Sequence, residues 1–427
     1  MPYEFITRIA QVSAQEWADL WQSDYPFIQH GFLSALEDSH ATCTASGWQP
    51  YHLLIRNTQQ QLTAAMVLFI KSHSYGEYVF DWSWADAYQQ HGIDYYPKLV
   101  NAIPFTPATG PRFAAIDTRA QAELLTVLQA HLKESTFSGF HSLFPNSQHN
   151  TALINASYTS SSQRALLQTS SQKETLEQGL QDLVRQRLGC QFHWFNNDYN
   201  HFDDFLASFS SRKRKNIKKE RAKVLEHNVR ITTTQGSALQ PKDWAEFYEL
   251  YKRTYLKRSG HTGYLSAECF ALMGQALPEQ TLLIRAYAQD TDENSQPQSP
   301  TQHPIAAALY FYDSHTLYGR YWGAIAELDG LHFECCYYRG IEFAIEQGLQ
   351  RFDPGAQGEH KIARGFTPVL TQSYHYLRHR EFSHAMTHFL KEEAQHIENY
   401  CQDARKNLPF KEDSVLQKPD CLINLHA

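Results

Sequence analysis

Residues 357–364 read QGEHKIAR and are flanked or interrupted by glycines at 355, 358 and 365. Transfer of an acyl group to nitrogen requires an uncharged amine, an anchored activated carbonyl and donors for the developing oxyanion; a protein nucleophile is unnecessary. In this segment Glu359 or His360 can take a proton from an attacking amine. Lys361 can offer positive charge to the oxyanion or leaving group, and Arg364 can grip a carboxylate or phosphate. Gly355, Gly358 and Gly365 suit a loop whose backbone must approach a ligand closely. An ordinary charged surface loop is the competing reading.

A second concentration of chemistry lies at residues 211–221, SRKRKNIKKER. Between Arg212 and Lys223 there are eight basic residues and one acid, Glu220, in a chain whose net charge is −7. So many like charges in a few helical turns repel one another, and an anion among them relieves that cost. Arg212, Arg214, Lys215, Asn216 and Lys218 are therefore candidates for binding phosphates of a nucleotide, a coenzyme or RNA, against the plainer reading of a solvated helix face. Ile217, Val224 and Leu225 are expected to face the protein.

Other candidates are more scattered. Arg320 and Trp322 alternate with Tyr321 on an expected strand, which places a ligand contact or a structural ion pair at Arg320. Asp81 and Asp86, in the aromatic stretch YGEYVFDWSWAD, could hold an amine or sugar hydroxyl of an acceptor. Arg112 is a lesser anion candidate. Glu334, at a helix start, fits a dipole-matched residue or a substrate-binding base. His332-x-Glu334 followed by Cys335 lacks the downstream Pro-Cys-x-x-Cys of zinc deaminases, so no metal is expected.

The composition sets limits on these readings. The 427 residues allow two or three domains, with 42% hydrophobic and 19% charged residues, as in ordinary globular proteins. Seven scattered cysteines without a C-x-x-C argue for a reducing compartment. No basic-then-apolar leader opens the sequence and no apolar run approaches the length of a membrane span, so a cytoplasmic location is expected. Oligomeric state is left open.

The elements that must position these residues fall into two blocks. In the first, residues 15–21 and 31–38 read as helices, 51–56 and 63–71 as strands joined by the turn 57–61, and 78–84 as an aromatic strand. Residues 120–134 follow as a helix through Leu124, Leu125, Leu128 and Leu132, and 139–144 as a strand. Ser-rich sequence at 157–171 reads as loop, and 173–187 as helix-like. The second block has a strand at 190–194, the basic helix 211–227, a strand at 229–234 and a helix at 244–256. A strand pair at 281–288 and 305–312 is separated by a polar loop, 290–304. Strands at 317–323, 351–353 and 371–378 and helices at 335–348 and 383–407 complete it. The expected domains are 1–175 and 188–390, with a C-terminal helix and tail at 391–427.

Several of these stretches resemble a known family. KSHSYGEYVFDWSWADAY, PFTPATGPR, QFHWFN, SSRKRKNIKKER and FDPGAQGEHKIARGF are similar to hallmarks of the FemAB-like predicted N-acyltransferases, over most of the chain. The second half also resembles the Fem-type peptidoglycan aminoacyltransferases, including a Lys-x-x-x-Gly-Phe element at residues 361–366. The resemblance implies an α/β (α+β) fold with two GNAT-like acyltransferase domains in tandem, each a mostly antiparallel mixed sheet flanked by helices. It implies N-acyl transfer from acyl-CoA or aminoacyl-tRNA to a small-molecule or peptide amine, with tRNA as a partner in the second case. An aminoacyl-tRNA-dependent transferase acting on a peptidoglycan precursor or protein, and a non-catalytic protein recognising a cell-wall precursor or RNA, are the alternatives. Two departures bear on the donor. The segment AIAELDGLHFE has one glycine, Gly330, where acetyl-CoA enzymes of that fold carry a Gly-rich pyrophosphate turn. The coiled-coil arm of some Fem-type enzymes is missing.

Overall fold

The computed structural model describes residues 2–147, 149, 184–288, 303–356 and 358–411. The expected loops at 157–171 and 290–302, the expected helix over 173–183, Gln357 and the tail beyond 411 lie outside the described residues. The first half contributes strands β1 (Tyr3–Ile6), β2 (Trp48–Pro50), β3 (His52–Arg56), β4 (Leu62–Met66), β5 (Phe69–Lys71), β6 (Lys98–Asn101), β7 (Phe113–Ala115) and β8 (Gly139–Leu143). The second contributes β9 (Val184–Phe195), β10 (Val229–Gln235), β11 (Thr281–Ala288), β12 (Ala306–Tyr312), β13 (Thr316–Ala324), β14 (Arg351–Asp353) and β15 (Thr367–Leu377).

Local signals account for much of this. Ser13 caps the helix Ala14–Trp21 by accepting from the Glu16 amide, and Asp117 caps Thr118–Glu134 by accepting from Ala120. The β3–β4 turn is built on Asn57, whose Oδ1 accepts the amides of Gln59 and Gln61 at 2.9 and 3.0 Å. Other elements depart from expectation. The stretch read as a strand at 78–84 is a loop entering the helix Trp82–Gln90. Gly76 and Tyr78 hold left-handed φ values of 81° and 60°, which break extended structure there. Residues 184–187, read as helix, begin the 12-residue strand β9.

One of the two sheets draws its strands from both halves of the sequence. Four strands form the order β1-β3-β4-β7, and eleven form β10-β11-β12-β13-β14-β9-β15-β8-β6-β5-β2. The second sheet crosses both halves of the sequence. It does so because β9 is long enough to pair with β14 at its end, through Trp194 and Phe195, and with β15 along most of its length. β15 in turn pairs with β8 of the first half. Pairing is antiparallel except β13–β14 and β6–β8, giving a mixed α/β fold flanked by helices.

The core is likewise shared. Phe27 and Phe32 of the first half stack edge-on against Phe311 of β12, at 5.4 and 6.0 Å between centroids. The helices His30–Asp38 and Ala267–Ala276 pack so closely that a Cβ on Gly31 would lie 2.8 Å from the Ala276 Cβ. Among the described residues no helix is long and apolar enough to cross a membrane.

Candidate active site

Two irregularities in the central sheet open a wedge. β14 pairs with β13 only from Thr316 to Tyr318, and β13 then runs on to Ala324 without that neighbour. On its other side, Tyr321 faces Leu309 but Gly319 faces Tyr310, so Arg320 is the extra residue of a β-bulge. Bulges bend a strand and re-aim a side chain, and they recur beside active sites. The parting of the strands leaves a pocket of about 90 Å³ between Arg320 and Trp322 on one wall and His332, Cys336 and Tyr337 on the other, with Pro354 beside it. A wider hollow of about 260 Å³ shares Trp322 and His332 and is bordered by Lys257 and Arg258.

The helix forming the opposite wall has pieces Leu331–Phe333 and Arg339–Glu346 joined by a π-helical stretch, Glu334–Tyr338. Such widened turns are rare and collect at functional sites. Here the π turn carries Cys336 and Tyr337 to the wedge. Tyr337 makes a 2.8 Å hydrogen bond through its hydroxyl to His360 Nε2. Burial, then the charges of Arg364 and Lys361, lowers the pKa of His360, which favours its neutral ring. His332 is pushed down to about 3, by burial and by His360, Arg258, Arg364 and Lys361.

Lys361 does not line this pocket but is held behind it, by Gly355 just past the end of β14. It is 1% exposed, and its Nζ donates to the Gly355 carbonyl at 2.6 Å. Burial lowers its pKa to about 8, Asp353 and Cys336 opposing the shift and Arg320 adding to it. Asp353, the last residue of β14, accepts the Gly355 amide at 2.9 Å and stands 3.6 Å from His193 Nε2. Gly355 itself has φ 90°, a conformation that favours glycine. The first half reaches the site by two threads. Arg320 donates to the Phe105 carbonyl at 2.6 Å, and Gln191, bonded to His193, donates to the Pro107 carbonyl at 2.8 Å.

The remaining sequence candidates divide clearly. Glu334 is buried, with both oxygens on Arg221 (2.9 and 2.7 Å) and one on Arg339 (2.9 Å), so its carboxylate is engaged in an ion-pair network rather than open to substrate. Arg364 is also turned inward. It pairs with Glu220, donates to the His360 carbonyl at 2.7 Å and stacks 3.3 Å from the Phe333 ring centroid. Glu359 is exposed and accepts from the Tyr400 hydroxyl at 2.7 Å. Asp81 is buried on Lys98, and Asp86 is exposed on the helix Trp82–Gln90; neither lines the wedge. Arg112 is buried and spends its guanidinium on the carbonyls of Leu143, Pro111 and Ala108.

The basic helix, Ser211–Glu226, splits its charges between two tasks. Glu220 and Arg221 serve the interior, where Glu220 also accepts from Tyr338. Arg212, Lys215, Asn216 and Lys218 are exposed and Arg214 half-buried; Lys218 comes no closer than 3.7 Å to Asp203. Ile217 and Val224 are buried, seven residues apart and thus on one face. Leu225, expected to join them, lies a further 100° round the helix and is exposed.

A larger cleft, about 310 Å³, lies alongside. Its walls are the 78–80 loop, β9 at Arg187 and Gln191, β15 at Gln372, and the C-terminal helix Arg380–Arg405 at Glu393. Ala356, next to Gly355, borders it as well. Sequence reasoning missed His193, Asp353 and Tyr337. Asp353 had a signal, an acid set immediately before Pro-Gly in FDPGAQG. Among the described residues no group of three or more His, Cys, Asp or Glu could hold a metal.

A model of the FemAB-like family, described as peptidoglycan biosynthesis/recognition, matches residues 8–412. Among solved structures the chain is similar to FemX, at 14% identity and a TM-score of 0.46, over 91% of this chain and 100% of that one. It is also similar to L-PGS from Bacillus licheniformis, at 10% identity and a TM-score of 0.44, over 81% of this chain and 90% of that one. No match is found among curated proteins.

Proposed function

The chain belongs to the FemAB-like family, and from that premise we propose that it transfers an aminoacyl group from aminoacyl-tRNA to an amine of a peptidoglycan precursor, at the wedge between β13 and β14. The observation that carries the reading is Lys361, a buried lysine held at the point where the two strands part, with its pKa drawn down to about 8. Burying a cation is costly unless a task or partner repays it. An oxyanion at this point would be stabilised more strongly than in water, because the surroundings are poorly solvated and already organised.

In this reading the donor ester carbonyl lies along the edge of β13 that β14 leaves free. The acceptor nitrogen attacks it, the new C–N bond forms, and the ester C–O bond breaks. The 3′-oxygen of the tRNA leaves as a hydroxyl by taking a proton from solvent, to which His360 later returns the proton of the amine. Lys361 faces the charge that develops on the carbonyl oxygen. The proton lost by the amine passes to the Tyr337 oxygen while the Tyr337 proton moves to Nε2 of His360, whose ring in its Nδ1–H form is a ready acceptor and opens to solvent. Arg320, aimed into the wedge by the bulge, orients the donor. The exposed cations Arg212, Lys215 and Lys218 hold tRNA phosphates, as their lack of strong ion pairs among the described residues allows.

Aminoacyl-tRNA is preferred to acyl-CoA on one observation. The turn that would cradle a coenzyme pyrophosphate has Gly330 alone, and its φ of 82° serves to start the short helical piece Leu331–Phe333. The experiment is an acceptor assay read by mass spectrometry. A soluble nucleotide-linked muropeptide is incubated with the protein and either charged tRNA or acyl-CoA. The expected product is heavier by one amino-acid residue, with charged tRNA only. A product from acyl-CoA would replace the donor, and tight binding of the muropeptide without any product would replace the enzyme with a recognition protein.

A further inference from the structure

The 72–82 loop is unusual in both directions at once. Beneath it, Lys98 is fully buried and donates to Glu77 at 2.9 Å, Asp81 at 2.5 Å and Ser74 at 2.8 Å. The Tyr95 hydroxyl adds a 2.6 Å bond to Asp81. A second buried lysine, Lys71, sits 3.8 Å from the Trp48 ring centroid, and the Trp48 indole donates to the Tyr75 carbonyl at 3.0 Å. Four ionisable side chains, Lys71, Glu77, Asp81 and Lys98, are thus buried to fix one loop. Above it, Tyr75 and Phe80 are each 54% exposed and Trp82 is 37% exposed. Large rings are seldom left bare together on a rigid support unless a ligand covers them.

We propose that Tyr75 and Trp82 form a platform that binds a sugar ring of the acceptor, an N-acetylated hexosamine, next to the 310 Å³ cleft that Phe80, between them in sequence, lines. The proposal rests on the acceptor being a peptidoglycan precursor, and it deepens that reading. The two rings pack on each other, 4.9 Å between centroids and inclined by 57°, so they present one continuous aromatic surface on which a pyranose face can lie. The C–H faces of a sugar stack on aromatic rings, while its hydroxyls need acceptors and donors at the edge. Both are present. Asp86 is exposed one helical turn beyond Trp82 and carries no ion pair among the described residues, and Ser83 is exposed beside it. The platform continues into the cleft, since Tyr78, Val79 and Phe80 line it and Arg187, paired with Glu393, donates to the Phe80 carbonyl at 2.7 Å. Two rings cover far less than the roughly 800 Å² per partner of a stable protein interface.

The test uses chitotriose, the β-1,4 trimer of N-acetylglucosamine, and a sugar-free stem peptide, with the full-length protein. Calorimetry is expected to show trimer binding that weakens about tenfold or more in Tyr75→Ala/Trp82→Ala, with an unchanged circular dichroism spectrum. Trp82→Phe, which keeps a ring, should bind within about threefold of wild type, and Lys361→Ala should bind as wild type does. Equal trimer affinity in wild type and the double variant overturns the platform. Transfer to the stem peptide separates the two ideas. If that transfer proceeds in wild type but the trimer does not bind, the platform alone falls. If the trimer binds through Tyr75 and Trp82 but no acceptor is modified, the transferase reading falls and the platform stands.

Discussion

Lys361→Ala is expected to lower kcat by roughly 10²–10³-fold, the usual loss when one preorganised oxyanion donor is removed. The fold should survive. Lysine burial is itself a cost, as its pKa of about 8 records, so its removal takes away a strained charge along with a 2.6 Å bond to Gly355. Circular dichroism and the thermal midpoint check that point. The pH profile carries the same claim further. Lys361 is cationic below about pH 8 and loses its charge as pH rises through that value. The rate should therefore fall on the alkaline side near pH 8, whereas loss of the amine proton from the acceptor sets the rising limb. In Lys361→Arg the charge persists, and any residual activity should no longer fall there.

Arg221→Ala is expected to destabilise the protein by about 3–5 kcal/mol, because it strips the main partner from a buried carboxylate. Among the described residues Glu334 would keep Arg339 alone as an ion-pair partner, and Glu342 would lose its 2.7 Å bond. Urea unfolding measures the loss. Replacing both partners, as in Arg221→Met/Glu334→Leu, should recover much of it, since an apolar pair leaves no unpaired buried charge. The distinction matters for function. If Glu334 were the base, Glu334→Gln would abolish turnover in a protein of normal stability. An ion-pair role predicts instead a less stable protein whose folded fraction still turns over.

The helices were the most legible part of the sequence. The basic helix announced itself through its charge, and Thr118–Glu134 through Leu124, Leu125, Leu128 and Leu132 together with the Asp117 cap. Both signals are local, written within a few turns. The junction of the halves was not legible, because β9 finds its partner β15 about 180 residues further on and nothing near β9 encodes that pairing. Local spacing misled at residues 184–187 for the same reason. The run 78–84 reads as a strand by its aromatics, yet Lys98, remote in sequence, ties down Glu77 and Asp81 and forces a loop.

The candidate site shows the same limit. Lys361 and His360 stand out in the sequence as candidates because glycines and charges cluster around them. Which charges remain available was set by partners far along the chain: Glu220 takes Arg364 and Arg221 takes Glu334. The Asp353–His193 contact joins residues on different strands, and the bulge at Arg320 exists only through register with β12. Residue type identifies what a side chain can do. Its partners decide whether it is free to do it.

The most direct measurement is a crystal structure with a non-reactive donor analogue, an aminoacyl group joined by an amide to a 3′-terminal adenosine. The aminoacyl carbonyl is expected in the wedge between β13 and Pro354, within hydrogen-bonding distance of Lys361 Nζ or of the β13 backbone beyond Tyr318. An analogue whose carbonyl sits instead in the cleft beside Gln372 and Glu393, or out on the basic helix, with the wedge left empty, would contradict the assignment of the wedge as the reacting centre.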